Sequence, residues 1–144
     1  MELVLHKKET ITINPMKFFP VLIIISLLTV EIGGASLLRM LTTDSELSDF
    51  DEQFFRAGHA HVGVLLILSL VYFLYLDRTG LSEQTQWVAG GALALCVLAQ
   101  SGGFFLHLAL GEPNQASAGT AMTIGGGILI AVSLITLAYG LVRA

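Results

Sequence analysis

Four long apolar segments are the feature that most constrains this chain. A helix needs about 20 predominantly apolar residues to cross the ~30 Å hydrocarbon core of a bilayer. Four segments reach that length, with polar loops between them: residues 18–41, 54–76, 86–110 and 118–142. A membrane barrel would need many alternating strands of about 10 residues. The sequence therefore predicts an all-α, integral membrane four-helix bundle, with residues 1–144 as a single domain that begins with a short polar segment, residues 1–17.

The composition fits a lipid environment. Hydrophobic residues make up 54% of the chain and charged residues 12%, whereas soluble domains carry about 25% charged residues. The net charge is −4, which argues against a nucleic-acid partner because such proteins carry a basic face. The expected partners are the lipid bilayer and either a homo-oligomer or a larger membrane complex.

The distribution of basic residues predicts the orientation. Lysine and arginine accumulate on the cytoplasmic side of multi-pass proteins. In a four-pass layout five of these residues fall on the side of the termini, and only Arg39 and Arg56 fall on the other. The five are Lys7, Lys8, Lys17, Arg78 and Arg143. We therefore expect a multi-pass protein of a bacterial cytoplasmic membrane with both termini inside and an acidic outer loop, residues 42–53.

The two halves of the chain resemble each other. Glu31-Ile-Gly-Gly in the first segment parallels Gln100-Ser-Gly-Gly in the third, and residues 63–75 parallel residues 127–139. One interpretation is chance similarity between apolar helices. The other is a duplicated helical hairpin, with the halves related by a two-fold axis along the membrane normal. That axis would bring Glu31 and Gln100 towards each other.

Small residues predict close packing between helices. Ala99-x-x-x-Gly103 and Gly127-x-x-x-Ala131 are small-xxx-small pairs, which let helix backbones approach in a membrane. Cys96 is the single cysteine. In the middle of an apolar helix it is expected to behave as a small, inert hydrophobic residue.

Polar residues within the spans collect in the outer half of the predicted bundle. They are Glu31, Arg39, Arg56, His59, His61, Gln100 and His107. A charged group at the bilayer centre costs at least ~2.5–3.5 kcal/mol, so such residues need a stabilising partner or a function. The clustering predicts a polar site, although Glu31 alone could also be a neutral carboxyl hydrogen-bonded between helices.

The histidines are the most chemically specific members of this set. His59 and His61 are two residues apart, about 200° around a helix, so their rings point to nearly opposite sides. We expect His61 to be the more inward of the two. His107 returns to nearly the same face as Gln100, seven residues earlier. The structural alternative is that these histidines only mark helix ends near the headgroups.

Three uses of the site remain open. A transition metal would take ligands from Glu31, His59, His61 and His107, with Met122 as a further donor. Haem b would take iron ligands from His59, His61 or His107, and covalent c-type haem is excluded because Cys-x-x-Cys-His is absent from the sequence. The third use is a proton relay. Catalytic residues are not assigned, and the alternatives are a non-catalytic accessory subunit of a larger complex or a small transporter or channel.

The segment Phe55-Arg-Ala-Gly-His-Ala-His-Val-Gly63 resembles a class of small bacterial four-helix membrane proteins. These carry an Arg-Ala-Gly-His-x-His-x-Gly motif early in the second helix. The resemblance covers the four-span layout and that motif, and it implies no particular activity. The motif is also faintly similar to histidine-bearing helices of haem–copper oxidases, but the other helices and histidine pairs of those enzymes are missing.

Overall fold

The chain folds into four long α-helices. The computed structural model describes residues 13–43 and 47–144. Its helices are α1 (Pro15–Thr42), α2 (Asp49–Leu76), α3 (Glu83–Leu110) and α4 (Ala118–Val142). All four are long and apolar enough to cross a membrane. The predicted all-α four-helix bundle is thus confirmed, and the protein is a multi-pass membrane protein.

Each of the first three helices begins earlier than the apolar segment it contains. The residues preceding the four helices, Asn14, Ser48, Ser82 and Ser117, each accept a hydrogen bond from a backbone N–H of the first turn. Such caps satisfy donors that a helix start leaves unpaired. In α2 the acidic residues Asp49, Asp51 and Glu52 form the first turn, where the helix dipole favours negative charge. Three of the five acidic residues in the predicted loop therefore belong to α2. The other two, Asp44 and Glu46, lie outside the described residues, as do Lys7 and Lys8.

The third helix holds the bundle together. α3 packs extensively on α4, less on α2, and only slightly on α1, which lies mainly against α2. Within the described residues α1 and α4 do not touch. A two-fold axis relating the hairpins would pair α4 with α1 as it pairs α2 with α3. The duplication stays a prediction from the sequence, but the helices do not pack around such an axis.

Small residues at seven-residue intervals bring α3 and α4 together. The seam on α4 consists of Gly119, Gly126, Ser133 and Gly140, all buried. The first three face α3, and Gly140 packs on Thr79 and Leu81 of the loop before α3. A strict seven-residue spacing keeps one helix face on its partner through a left-handed crossing. A methyl group added at Gly126 would lie 2.6 Å from Gln100 Cγ and 2.8 Å from its backbone nitrogen. The two backbones are therefore as close as the absence of side chains permits.

The bundle has two chemically different ends. We call the end with Thr43, Leu47, Ser48 and residues 111–117 the distal end, and the end with residues 77–82 the proximal end. At the proximal end Phe19 of α1 stacks on Phe73 of α2, 5.2 Å between ring centres, and meets the edge of Trp87 of α3 at 5.3 Å. This aromatic cluster fixes the proximal part of α1 to the bundle.

Candidate functional site at the distal end

His61 and Gln100 form the central polar contact between α2 and α3. His61 Nε2 lies 2.5 Å from Gln100 Oε1. Gln100 is buried and its amide nitrogen also donates to Cys96 Sγ at 3.7 Å. His61 is thus the histidine that points inward from α2, as predicted, and its partner is an amide on the neighbouring helix.

His59 points to the opposite side of α2, towards α1. Its ring lies against two glycines: Cβ atoms added at Gly33 and Gly34 would be 3.3 Å from Nδ1 and 3.2 Å from Nε2. The glycines leave the space that a half-buried imidazole ring occupies between the two helices. His59 and His61 therefore contact different helices, which agrees with their predicted separation around α2.

His107 connects the end of α3 to the start of α4. Its Nδ1 is 2.6 Å from the hydroxyl of Ser117, the residue that caps α4. The imidazole is buried, with 6% of its surface exposed. It packs at 4.5 Å between ring centres against Phe54 and at 5.7 Å against Phe50. His107 is therefore a buried group that Ser117 and two aromatic rings hold in position.

Aromatic rings separate His61 from His107. Phe104 lies 5.3 Å from the His61 ring and 6.3 Å from Phe54, which in turn contacts His107. The two histidines share one aromatic layer but face different polar partners. A hydrogen-bonded path between them would have to cross Phe104 and Phe54.

A cavity of about 440 Å³ opens beside His107. It lies between the ends of α2, α3 and α4 and the loop that joins the last two. Its lining combines aromatic rings, threonine hydroxyls and two side-chain amides of the loop. The lining residues are Phe54, Gly103, Phe104, His107, Asn114, Gln115, Ala116, Thr120, Thr123 and Ile124. Volumes of about 300–1,000 Å³ with few convergent polar groups are typical of small-molecule sites.

Several predicted site residues lie away from this cavity. Glu31 and Arg39 are exposed on α1. Arg56 pairs with Glu52 one turn earlier on α2, at 2.6 Å on an exposed surface. Gln100 bonds to His61 and Cys96, so the expected approach of Glu31 and Gln100 is replaced by the His61 contact. The terminal methyl of Met122 lies near Gly102. A Cβ added at Gly102 would be 3.1 Å from that methyl carbon.

The predicted metal ligands are dispersed. His59 contacts α1, His61 contacts Gln100, and His107 contacts Ser117. Over residues 13–43 and 47–144, the structure holds no group of three or more histidine, cysteine, aspartate or glutamate side chains suited to a metal ion. A site that needs three protein ligands is not assembled in this arrangement.

Comparison with known proteins adds no further constraint. The chain matches no family model, no curated protein and no solved structure. The class of multi-pass membrane protein therefore follows from the four apolar helices, and the function has to be argued from the distal site.

Sequence reasoning missed the residues that complete the site. Ser117 and Thr120 form a capping box, in which the side chain of each residue bonds to the backbone N–H of the other. The Ser-x-x-Thr spacing is visible in the sequence and resembles the usual signature. Phe54 and Phe104 gave no signal, since aromatic residues in apolar helices usually serve packing alone.

Proposed function

We propose that this membrane protein binds haem b in the distal cavity, where His107 would hold the iron. The observation that carries the proposal is the position of His107, which is buried beside the distal cavity and bonded to Ser117. Haem b differs from a simple metal ion because one histidine can suffice to hold its iron. The dispersed histidines therefore favour haem over a site built from several protein ligands.

The hydrogen bond to Ser117 supports this role. Ligating histidines almost always bond their second ring nitrogen to another group, which fixes the tautomer and the ring orientation. Ser117 bonds to Nδ1 of His107, so Nε2 would be the ring nitrogen that holds the iron. With the imidazole as donor and the serine oxygen as acceptor, the proton on Nδ1 leaves a lone pair on Nε2.

The cavity wall suits a planar, largely apolar ligand. Phe54 and Phe104 offer ring surfaces to such a ligand. Exposed Asn114 in the connecting loop would supply an amide donor to the carboxylates of a porphyrin. The amide of Gln115 already donates to Glu112 Oε2 at 2.7 Å.

An absorption spectrum after reconstitution tests the proposal. We expect hemin added to the detergent-purified protein to give a saturable Soret band, and His107→Ala to weaken binding at least 10-fold. The matched control is His59→Ala, which removes a half-buried histidine that faces α1. No Soret band, or equal binding by the wild type and His107→Ala, would refute haem ligation by His107. Metal analysis of the same samples would distinguish haem from a bare transition metal.

The exposed carboxyl on α1 favours a second candidate function, that of an accessory subunit. Glu31 is the one acidic residue of α1, and among the described residues no hydrogen bond or ion pair joins it to another group. A carboxyl facing lipid is costly, whereas a partner helix with a hydrogen-bond donor at the same depth would offset that cost.

Crosslinking addresses this alternative. A photoreactive residue at Leu28, one turn from Glu31, should form a defined adduct with another membrane protein in intact membranes. The same residue at Ile128 on the exposed side of α4 provides the control. Products confined to lipid at Leu28 would contradict an accessory role through this face.

A further inference from the structure

The first helix leaves a crevice against α3. α1 is fixed at the proximal end by Phe19, which occupies the space above Gly90, and at the distal end by His59 against Gly33 and Gly34. Between these contacts two cavities of about 170 and 210 Å³ share Ser26, Leu66, Val97 and Leu98. We treat them as one feature, the α1–α3 crevice. It opens towards the membrane beside Leu98, whose surface is 67% exposed.

The crevice changes in polarity along its length. The proximal part is mainly apolar and includes Ile23, Phe73 and Leu93. Its Ser69 hydroxyl bonds to the Leu65 carbonyl of its own helix. The distal part carries the hydroxyls of Ser26, Thr29 and Ser101. A molecule that matches this lining has a long apolar tail and a small polar head.

The hydroxyl of Ser101 is the observation that indicates a ligand in the crevice. It is 5% exposed, and among fully buried side-chain nitrogen and oxygen atoms of the described residues, its hydroxyl is the one without a hydrogen-bond partner. Ser26 and Thr29 differ, since they bond to carbonyls of their own helix at 2.8 and 2.6 Å. A buried, unpaired hydroxyl costs free energy that an acceptor in the crevice would recover.

The depth of Ser101 narrows the identity of that acceptor. Ser101 is nine residues from the end of α3 at Leu110. A 28-residue helix is about 42 Å long, which exceeds the ~30 Å hydrocarbon core by roughly 6 Å at each end. Ser101 thus lies about 7 Å inside the hydrocarbon. Phospholipid esters stay at the boundary, whereas a quinone ring with its carbonyl oxygens enters the core.

We propose that the α1–α3 crevice binds an isoprenoid quinone, with the tail along the apolar part and a ring carbonyl accepting a hydrogen bond from Ser101. The proposal is independent of haem in the distal cavity, because the crevice uses α1 and the opposite side of α3. His59, one turn distal to Val62 of the crevice wall, sets its distal limit.

Quinone binding is measured with decylubiquinone and the delipidated, detergent-purified protein. Trp87 is the single tryptophan and contacts Phe19, so its fluorescence reports on the bound quinone by quenching. We expect saturable quenching, with an affinity reduced about 3- to 10-fold in Ser101→Ala, the loss of one hydrogen bond. The control is Ser36→Ala, which removes an exposed α1 hydroxyl bonded to the Ile32 carbonyl.

A second variant tests the apolar part. Ala94→Leu places a larger side chain in the proximal crevice and should abolish saturable quenching while the hydroxyl of Ser101 remains. Ser101→Ala with wild-type affinity, Ala94→Leu with wild-type affinity, or unsaturable quenching in the wild type would each overturn the proposal.

Solvent extraction of the purified protein provides a third measurement. Stoichiometric phospholipid without quinone in the extract would also overturn the proposal. His107→Ala should bind the quinone normally, which separates this test from that of the haem site.

Discussion

His61 Nε2 and Gln100 Oε1 lie 2.5 Å apart and join α2 to α3 inside the bundle. The contact also involves α4, because Gly126 packs directly against the side chain and backbone of Gln100. One amide therefore connects three helices. Buried polar pairs of this kind cost little when both partners are satisfied and much when one is removed.

Removing His61 should destabilise the protein more than removing both partners. His61→Leu leaves the buried Oε1 of Gln100 unpaired, and we expect a loss of about 1–3 kcal/mol in the free energy of unfolding. In His61→Leu/Gln100→Leu no orphaned acceptor remains, so part of that loss should be recovered. Unfolding by SDS titration in mixed micelles measures both values.

Gln100→Leu alone is the control for this cycle. It leaves the ring nitrogen of the half-buried His61 without its partner, so it should also lower the free energy of unfolding by about 1–3 kcal/mol. Strictly additive effects in the double variant would show that the two side chains are not coupled.

Much of the fold could be predicted because a bilayer permits few solutions. Every backbone polar group in hydrocarbon has to be paired within the segment, so long apolar runs form helices. The residues at which the helices begin were harder to predict, since the caps at Ser48 and Ser82 lie in polar sequence before the apolar runs. Hydropathy therefore predicted the helices but placed the starts of α2 and α3 several residues late.

The site was predicted only in part. The spacing of His59 and His61 correctly implied opposite directions, because rotation along one helix is fixed by geometry. The partner of Gln100 depends on the rotation of α3 against its neighbours, which the seam at Gly119 and Gly126 sets. The sequence analysis singled out Gly127, which is one position from the seam residue Gly126, and Ala131, which is exposed. Ala99 and Gly103, the other small-residue pair, do face α4.

Two adjacent glycines on α4 should respond oppositely to the same substitution. At Gly126 an alanine Cβ would lie 2.6 Å from Gln100 Cγ, whereas at Gly125 nothing lies within 4 Å. Gly126→Ala should lower stability by about 1–3 kcal/mol because α3 and α4 must separate. Gly125→Ala should be neutral or slightly stabilising, since alanine favours helix by up to ~1 kcal/mol. Thermal unfolding of both variants in one detergent provides the comparison, and equal losses would argue against close contact at the seam.

The proposed orientation, with both termini inside, can be tested by cysteine labelling. Cys96 is the single cysteine and is buried, so Cys96→Ser gives an unreactive background. We expect Asn114→Cys, in the distal loop, to react with an impermeant maleimide in intact cells. Gly80→Cys, in the proximal loop, should react only after permeabilisation. The opposite labelling pattern would contradict this orientation and place Arg78 and Arg143 on the outer side. These two guanidinium groups lie over the rings of Tyr75 and Tyr139, 5.4 and 4.5 Å from the ring centres.

Ser117 and Ser82 offer a matched pair for measuring the bond to His107. Both serines cap a helix, and each accepts a hydrogen bond from a backbone N–H of the first turn. Replacing either by alanine should cost about 1 kcal/mol of stability through the lost cap. Ser117→Ala also removes the partner of the buried His107, so its loss should exceed that of Ser82→Ala by about 1 kcal/mol or more. If both variants lose the same stability and hemin binding is unchanged by Ser117→Ala, the hydroxyl does not position the imidazole. A larger loss accompanied by a shifted Soret band would mean that Ser117 orients His107 for its ligand.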